Sequence, residues 1–100
     1  DKAIEDFSQA MSLAPDFADA YHNRGFIRSI QGDKQGAIED YNQAIQLNPD
    51  DAEAYVNRGI AHSDLENYQE AIQDYNQALN INPNDAAAYY NRGIAHKGLE

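Results

Sequence analysis

An all-α array of repeated helix pairs is the fold class that this sequence predicts, and three observations carry it. Proline occurs three times in the 100 residues, at Pro15, Pro49 and Pro83, in steps of 34. The tripeptide Asn-Arg-Gly recurs at 23–25, 57–59 and 91–93. Residues 18–51 and 52–85 are identical at 18 of 34 places, which chance does not produce. A fixed period of this length marks a solenoid, in which each unit buries its apolar face against its neighbours.

Each unit reads as two helices. The first is expected over about 18–31 and again over about 52–65, the second over about 35–47 and 69–81. The second helices place Ala37, Ile38, Tyr41, Ala44 and Ile45, then Ala71, Ile72, Tyr75, Ala78 and Leu79, at helical spacing, one apolar stripe per helix. Asp16, Asp50 or Asp51, and Asn84 or Asp85 follow the prolines and suit helix N-caps. Asn67 with Glu70 three residues on has the form of a capping box. Gly32 suits the left-handed end of a first helix. The Asn48-Pro49 and Asn82-Pro83 steps stop a helix, because proline drives the preceding residue out of the helical region.

Composition narrows the function classes. Hydrophobic residues make up 42% and charged residues 24%, as in a globular chain rather than a disordered one. No run approaches the ~18 apolar residues of a membrane span, and no signal segment is visible. The expected location is cytoplasmic. Asp1 in place of Met fits an excerpt, a processed end or a trimmed one. Without cysteine there is no disulfide and no Cys-based zinc site. A net charge of −10 argues against nucleic acid and anionic lipid, which need Lys and Arg facing phosphates, and allows a neutral or basic partner.

The repeated residues resemble the tetratricopeptide repeat: Tyr21, Gly25, Ala37, Tyr41, Ala44 and Pro49, then Tyr55, Gly59, Ala71, Tyr75, Ala78 and Pro83. The resemblance covers the whole chain. It implies an antiparallel helix pair per unit, about six helices in all, stacked into a right-handed superhelix with a groove lined mainly by first helices. The Asn-Arg-Gly variant is similar to bacterial, especially cyanobacterial, arrays. Two places depart from the family pattern. Arg24, Arg58 and Arg92 stand where Leu is usual, and Arg28, His62 and His96 where Tyr is usual. Asp6, Asp40 and Asp74 recur in the second helices, and the arginines are expected to pair with them across the helix packing, with their stems buried and heads wet.

The frame runs out of register. Residues 1–17 read as the second helix of a partial repeat, 18–51 and 52–85 as complete repeats, and 86–100 as the first helix of another partial repeat. Excision from a longer array is the expected origin. Residues 1–14 and 86–100 each lack a partner helix, so head-to-tail self-association is an expected consequence.

By resemblance, Asn23, Asn57 and Asn91 face the groove, like the asparagine ladder in the repeat region of O-GlcNAc transferases. An amide has both donor and acceptor, so three in register suit an extended peptide backbone. His22, Val56 and Tyr90, with Phe26, Ile60 and Ile94, are expected to add contacts beside them, and Asp19, Glu53 and Asp64 negative charge. Asp19, Glu53 and Ala87 occupy places where a chaperone-tail clamp has lysine, so an acidic C-terminal tail is not the expected ligand. The sequence therefore predicts a scaffold that binds a neutral-to-basic peptide or protein segment. The alternatives are a docking or regulatory arm of a larger enzyme, and self-assembly through the terminal helices. No nucleophile-and-base motif, Walker loop or zinc-type His pair is present, so no catalytic residue, metal or cofactor is expected.

Overall fold

In a computed structural model all 100 residues are described, and every regular element is helical. The helices are α1 Lys2–Leu13, α2 Ala18–Ile30, α3 Lys34–Leu47, α4 Ala52–Asp64, α5 Tyr68–Ile81 and α6 Ala86–Gly98. None is long and apolar enough to cross a membrane. The chain forms two compact units, Asp1–Pro49 with α1–α3 and Asp50–Glu100 with α4–α6.

Proline sets the helix ends as expected. Ala14, Asn48 and Asn82, each just before a proline, have φ between −132° and −139°, and each donates its N–H to the alanine carbonyl four residues back. The bond ladder is intact up to the residue whose backbone the proline ring forces to extend. The turns inside the pairs need a left-handed residue. Gly32 supplies it with φ 92°, and Glu66 occupies the matching place with φ 65°.

The caps differ from the sequence reading in three places. Asp51 and Asp85 cap α4 and α6 by accepting from the Ala54 and Ala88 N–H groups at 3.4 and 3.2 Å. Asp16 does not cap α2, because that helix starts at Ala18 and its cap position is Phe17. Asn67 sits at the cap of α5 without a side-chain cap bond, so no capping box forms there. Asp33, which the sequence reading passed over, caps α3 through the Gly36 N–H at 2.9 Å.

In the first unit α2 packs on both α1 and α3. In the second, α5 packs on both α4 and α6, and α4 also touches α6. The deepest large side chains are Tyr41 and Tyr75, each 1% exposed, while Tyr21 and Tyr55 are only half-buried and Tyr89 is exposed. The early-helix tyrosines are thus rim groups, two of them lying under arginines: Arg58 over Tyr55 at 5.5 Å and Arg92 over Tyr89 at 5.2 Å. Small residues let the helices close on the buried rings. A Cβ placed on Gly59 would lie 2.6 Å from Tyr75 Cε1, and one on Gly25 3.0 Å from Tyr41 Cε1.

Burial holds the Tyr75 phenol well above its ordinary range, and the Asp64 and Asp74 carboxylates push the same way. A raised folded value means that the native state favours the neutral phenol. That contribution is whole below about pH 10, where the unfolded phenol starts to ionise, and fades as pH rises further. In denaturant titrations from about pH 9 to 12, the parent chain should lose stability more steeply than Tyr75→Phe. Equal slopes would show that the phenol carries no such linkage.

Candidate functional site

Two features recur from repeat to repeat: an arginine–aspartate clasp between helices and a mixed stripe along each first helix. The clasp forms as the sequence suggests. Arg24 sits at the middle of α2 with its side chain only 17% exposed, and Asp40 is buried at 2% exposure in α3. Arg24 Nε donates to Asp40 Oδ2 at 2.9 Å and one terminal nitrogen to Oδ1 at 2.7 Å, a two-pronged pair. Its other terminal nitrogen reaches back to Ser8 Oγ on α1 at 3.1 Å. Arg28 adds a third donor to Asp40 Oδ2 at 3.2 Å. The bond to Asp40 raises the Arg24 pKa, against desolvation, which lowers it. The second unit repeats the clasp with Arg58 on Asp74 at 3.0 and 2.6 Å. Arg92 has no aspartate ahead of it in the chain. It reaches back to Asn76 Oδ1 at 2.8 Å.

The stripe follows helical spacing. Residues 19, 23, 26 and 30 on α2 are Asp, Asn, Phe and Ile; 53, 57, 60 and 64 on α4 are Glu, Asn, Ile and Asp; 87, 91, 94 and 98 on α6 are Ala, Asn, Ile and Gly. Steps of four, three and four residues return to one face of a helix. Asp19, Asn23 and Phe26 are exposed on α2, with Phe26 at 48%. Glu53 is exposed on α4, and Asn57 and Ile60 are half-buried. On α6 Asn91 is half-buried and Ile94 is 47% exposed. Asn91 Nδ2 donates to the Ala87 carbonyl at 2.9 Å. One such bond leaves the amide its second N–H and its oxygen lone pairs.

Three expected groove residues fare differently. Val56 is buried at 6% and belongs to the core with Tyr75 and Ala78. It does not line an open face. His22 is half-buried and sets its ring edge-on to Tyr41, with centroids 5.6 Å apart and planes at 85°. Tyr90, at the same repeat place, is 71% exposed. The place points at the second helix of its own repeat, so it is covered where that helix follows. Ile30 was missed. It is exposed and extends the α2 stripe, and its spacing of four from Phe26 was the available signal. No group of three or more His, Cys, Asp or Glu side chains is placed to hold a metal.

Paired antiparallel helices with a 34-residue repeat define a helical-repeat protein, a class built to present surface. Residues 52–85 match the family described as tetratricopeptide repeat, and residues 27–66 match one described as TPR repeat. The chain belongs to the tetratricopeptide-repeat family. It is 57% identical over 35 residues to tetratricopeptide repeat protein 36 of Mus musculus, a match covering 35% of this chain and 19% of that protein. The fold is similar to the crystal structure of MamA, with TM-score 0.92, 30% identity, and 96% of this chain and 52% of that one covered. It is also similar to the first TPR of Spaghetti bound to the HSP90 peptide SRMEEVD, with TM-score 0.93, 27% identity, and 96% and 76% coverage. An Arabidopsis OM64 TPR domain matches at TM-score 0.92 and 28% identity, with 96% and 79% coverage. The chain spans about half of the MamA chain and a fifth of the mouse protein. The fold and its neighbours are those of protein-interaction modules, a family that typically works as non-enzymatic scaffold.

Proposed function

We propose that the chain is a non-catalytic scaffold that binds a neutral-to-basic peptide segment on the stripes of its first helices. The observation that carries this is the repeated order of amide and then apolar side chain on α2 and on the touching pair α4 and α6, with Phe26 and Ile94 exposed and Ile60 half-buried. In the second unit Asn57 and Asn91 would bond the peptide backbone, Ile60 and Ile94 would take apolar side chains, and Glu53 would favour positive charge. Asn23, Phe26 and Asp19 offer the same chemistry on α2. Polar groups on such a face fix register, and the apolar anchors supply most of the affinity.

The Spaghetti neighbour is bound to an HSP90 peptide, but that acidic ligand suits this chain poorly. Asp19 and Glu53 are exposed on the stripes, and the net charge is −10. Like charge across an interface costs affinity and slows encounter.

A peptide array with neutral, basic and acidic members tests the reading. Bound sequences should be neutral or basic with apolar anchors, and SRMEEVD should rank among the non-binders. Asn57→Ala and Asn91→Ala should each weaken binding by about 0.5–1.5 kcal/mol, roughly two- to tenfold. Ile60→Glu should abolish it. Binding confined to acidic peptides, or indifferent to all three substitutions, would rule out this surface.

A further inference from the structure

The stripe of α4 is bracketed by two carboxylates. Glu53 lies in the first turn and Asp64 is the last residue of the helix, with Asn57 and Ile60 between them. Both acids are exposed. α4 is interior to the chain, with three helices before it and two after, so its neighbours are supplied by the chain itself. The matching places hold Asp19 and Ile30 on α2, and Ala87 and Gly98 on α6, so α4 alone is acidic at both. Asp64 also stands where a helix disfavours it. The carbonyl end of a helix is its negative end, which repels an acid and attracts a cation.

Geometry turns these two acids into a sequence preference. α4 and α6 touch, so a backbone that bonds both Asn57 and Asn91 must run from one helix to the other, across their axes. In an extended peptide the N–H and C=O groups point at right angles to the side chains, and successive side chains point opposite ways. With its backbone groups turned down to Asn57, the peptide lays its side chains along α4, one toward Glu53 and the next toward Asp64. At 1.5 Å per residue, Glu53 lies about 6 Å from Asn57 along the axis, and Asp64 about 10 Å the other way. The longer reach passes over Ile60, whose half-buried side chain suits the methylene stem of Lys or Arg. Over α6, Ala87 and Gly98 offer no charge. A helix spacing of ~8–10 Å puts that stretch about three extended residues away.

We propose that the peptide partner carries two adjacent basic residues over α4, one paired with Glu53 and the next with Asp64, and neutral residues over α6. The proposal rests on the peptide-binding reading above and adds the sequence preference of that surface.

Three labelled peptides of equal length and neutral background test it by fluorescence anisotropy. One has Lys and Arg adjacent, one has them separated by a single residue, and one has a neutral pair. Basic side chains separated by one residue point the same way and meet one carboxylate only. The adjacent pair should therefore bind the parent chain roughly two- to fivefold more tightly than the separated pair of equal charge, and added salt should shrink the difference. In Glu53→Gln and in Asp64→Asn a single carboxylate remains, so the ratio of the two affinities should fall to about one while helical circular dichroism is kept. Equal binding of the adjacent pair and either other peptide by the parent overturns the proposal. So does a ratio that survives both substitutions. If binding still falls with Asn57→Ala in that case, the first-helix surface stands and only the basic pair is lost. A folded chain that binds none of the three peptides overturns both readings.

Discussion

Asp40→Ala is expected to destabilise the chain by about 3 kcal/mol, a large share of the ~5–15 kcal/mol that holds a small domain folded. The aspartate is 2% exposed and accepts from three guanidinium nitrogens of Arg24 and Arg28. Its removal strands two cations near the core with no carboxylate to balance them, which costs more than the pair itself contributes. The heads of both arginines retain water, with side-chain exposures of 17% and 27%, so the cost stays at the lower end for a buried pair. Asp74→Ala should cost less by roughly 1 kcal/mol, because His62 stands where Arg28 supplies the third donor. Replacing both partners, Arg24→Met with Asp40→Leu, should recover at least half of the loss. Denaturant unfolding followed by far-ultraviolet circular dichroism measures all three variants against the parent. A cost under about 1 kcal/mol for Asp40→Ala would class the clasp with ordinary surface bridges.

Gly59→Ala and Gly93→Ala are expected to shift stability in opposite directions, although the two glycines occupy the same place in the repeat. The new methyl at 59 would meet the Tyr75 ring at 2.6 Å, and Tyr75 is 1% exposed, so the ring has nowhere to go. Overpacking of this kind costs about 1–3 kcal/mol, of which roughly 1 kcal/mol is offset because alanine is the better helix former. At 93 no atom lies within 4 Å, so only the helix-propensity gain remains, about 0.5–1 kcal/mol of stabilisation. Two shifts of the same sign would mean that the close approach at Gly59 is not what holds the helix pair in register.

Much of the fold was legible before any coordinates. The six helices and their order follow from a strict period, apolar stripes and the three prolines, all local signals. The Arg24–Asp40 and Arg58–Asp74 pairs were legible too, since a charged residue recurring in a packing position needs a recurring partner. The caps were less so. Asp16 looked like Asp51 and Asp85 in kind, but it lies one residue too early, and Phe17 takes the cap place. Glu66 gave no sign of the left-handed turn that it makes, because the turn geometry is imposed by the helices on either side.

The stripe was partly legible. Asn23, Phe26, Asn57, Ile60, Asn91 and Ile94 share a helical face with Asp19 and Glu53, and spacing alone shows that. Spacing did not separate Val56 from them, nor bring in Ile30.

The amino-acid sequence therefore settled the architecture and the family, because periodicity and backbone preference act over a few residues and survive in any context. Tertiary structure decided the fate of residues that share a repeat place. His22, Val56 and Tyr90 range from half-buried to buried to 71% exposed, and Gly59 and Gly93 range from crowded to open. Burial is a property of the neighbouring helix rather than of the residue, and a solenoid unit has its neighbour on one side only where the chain supplies one.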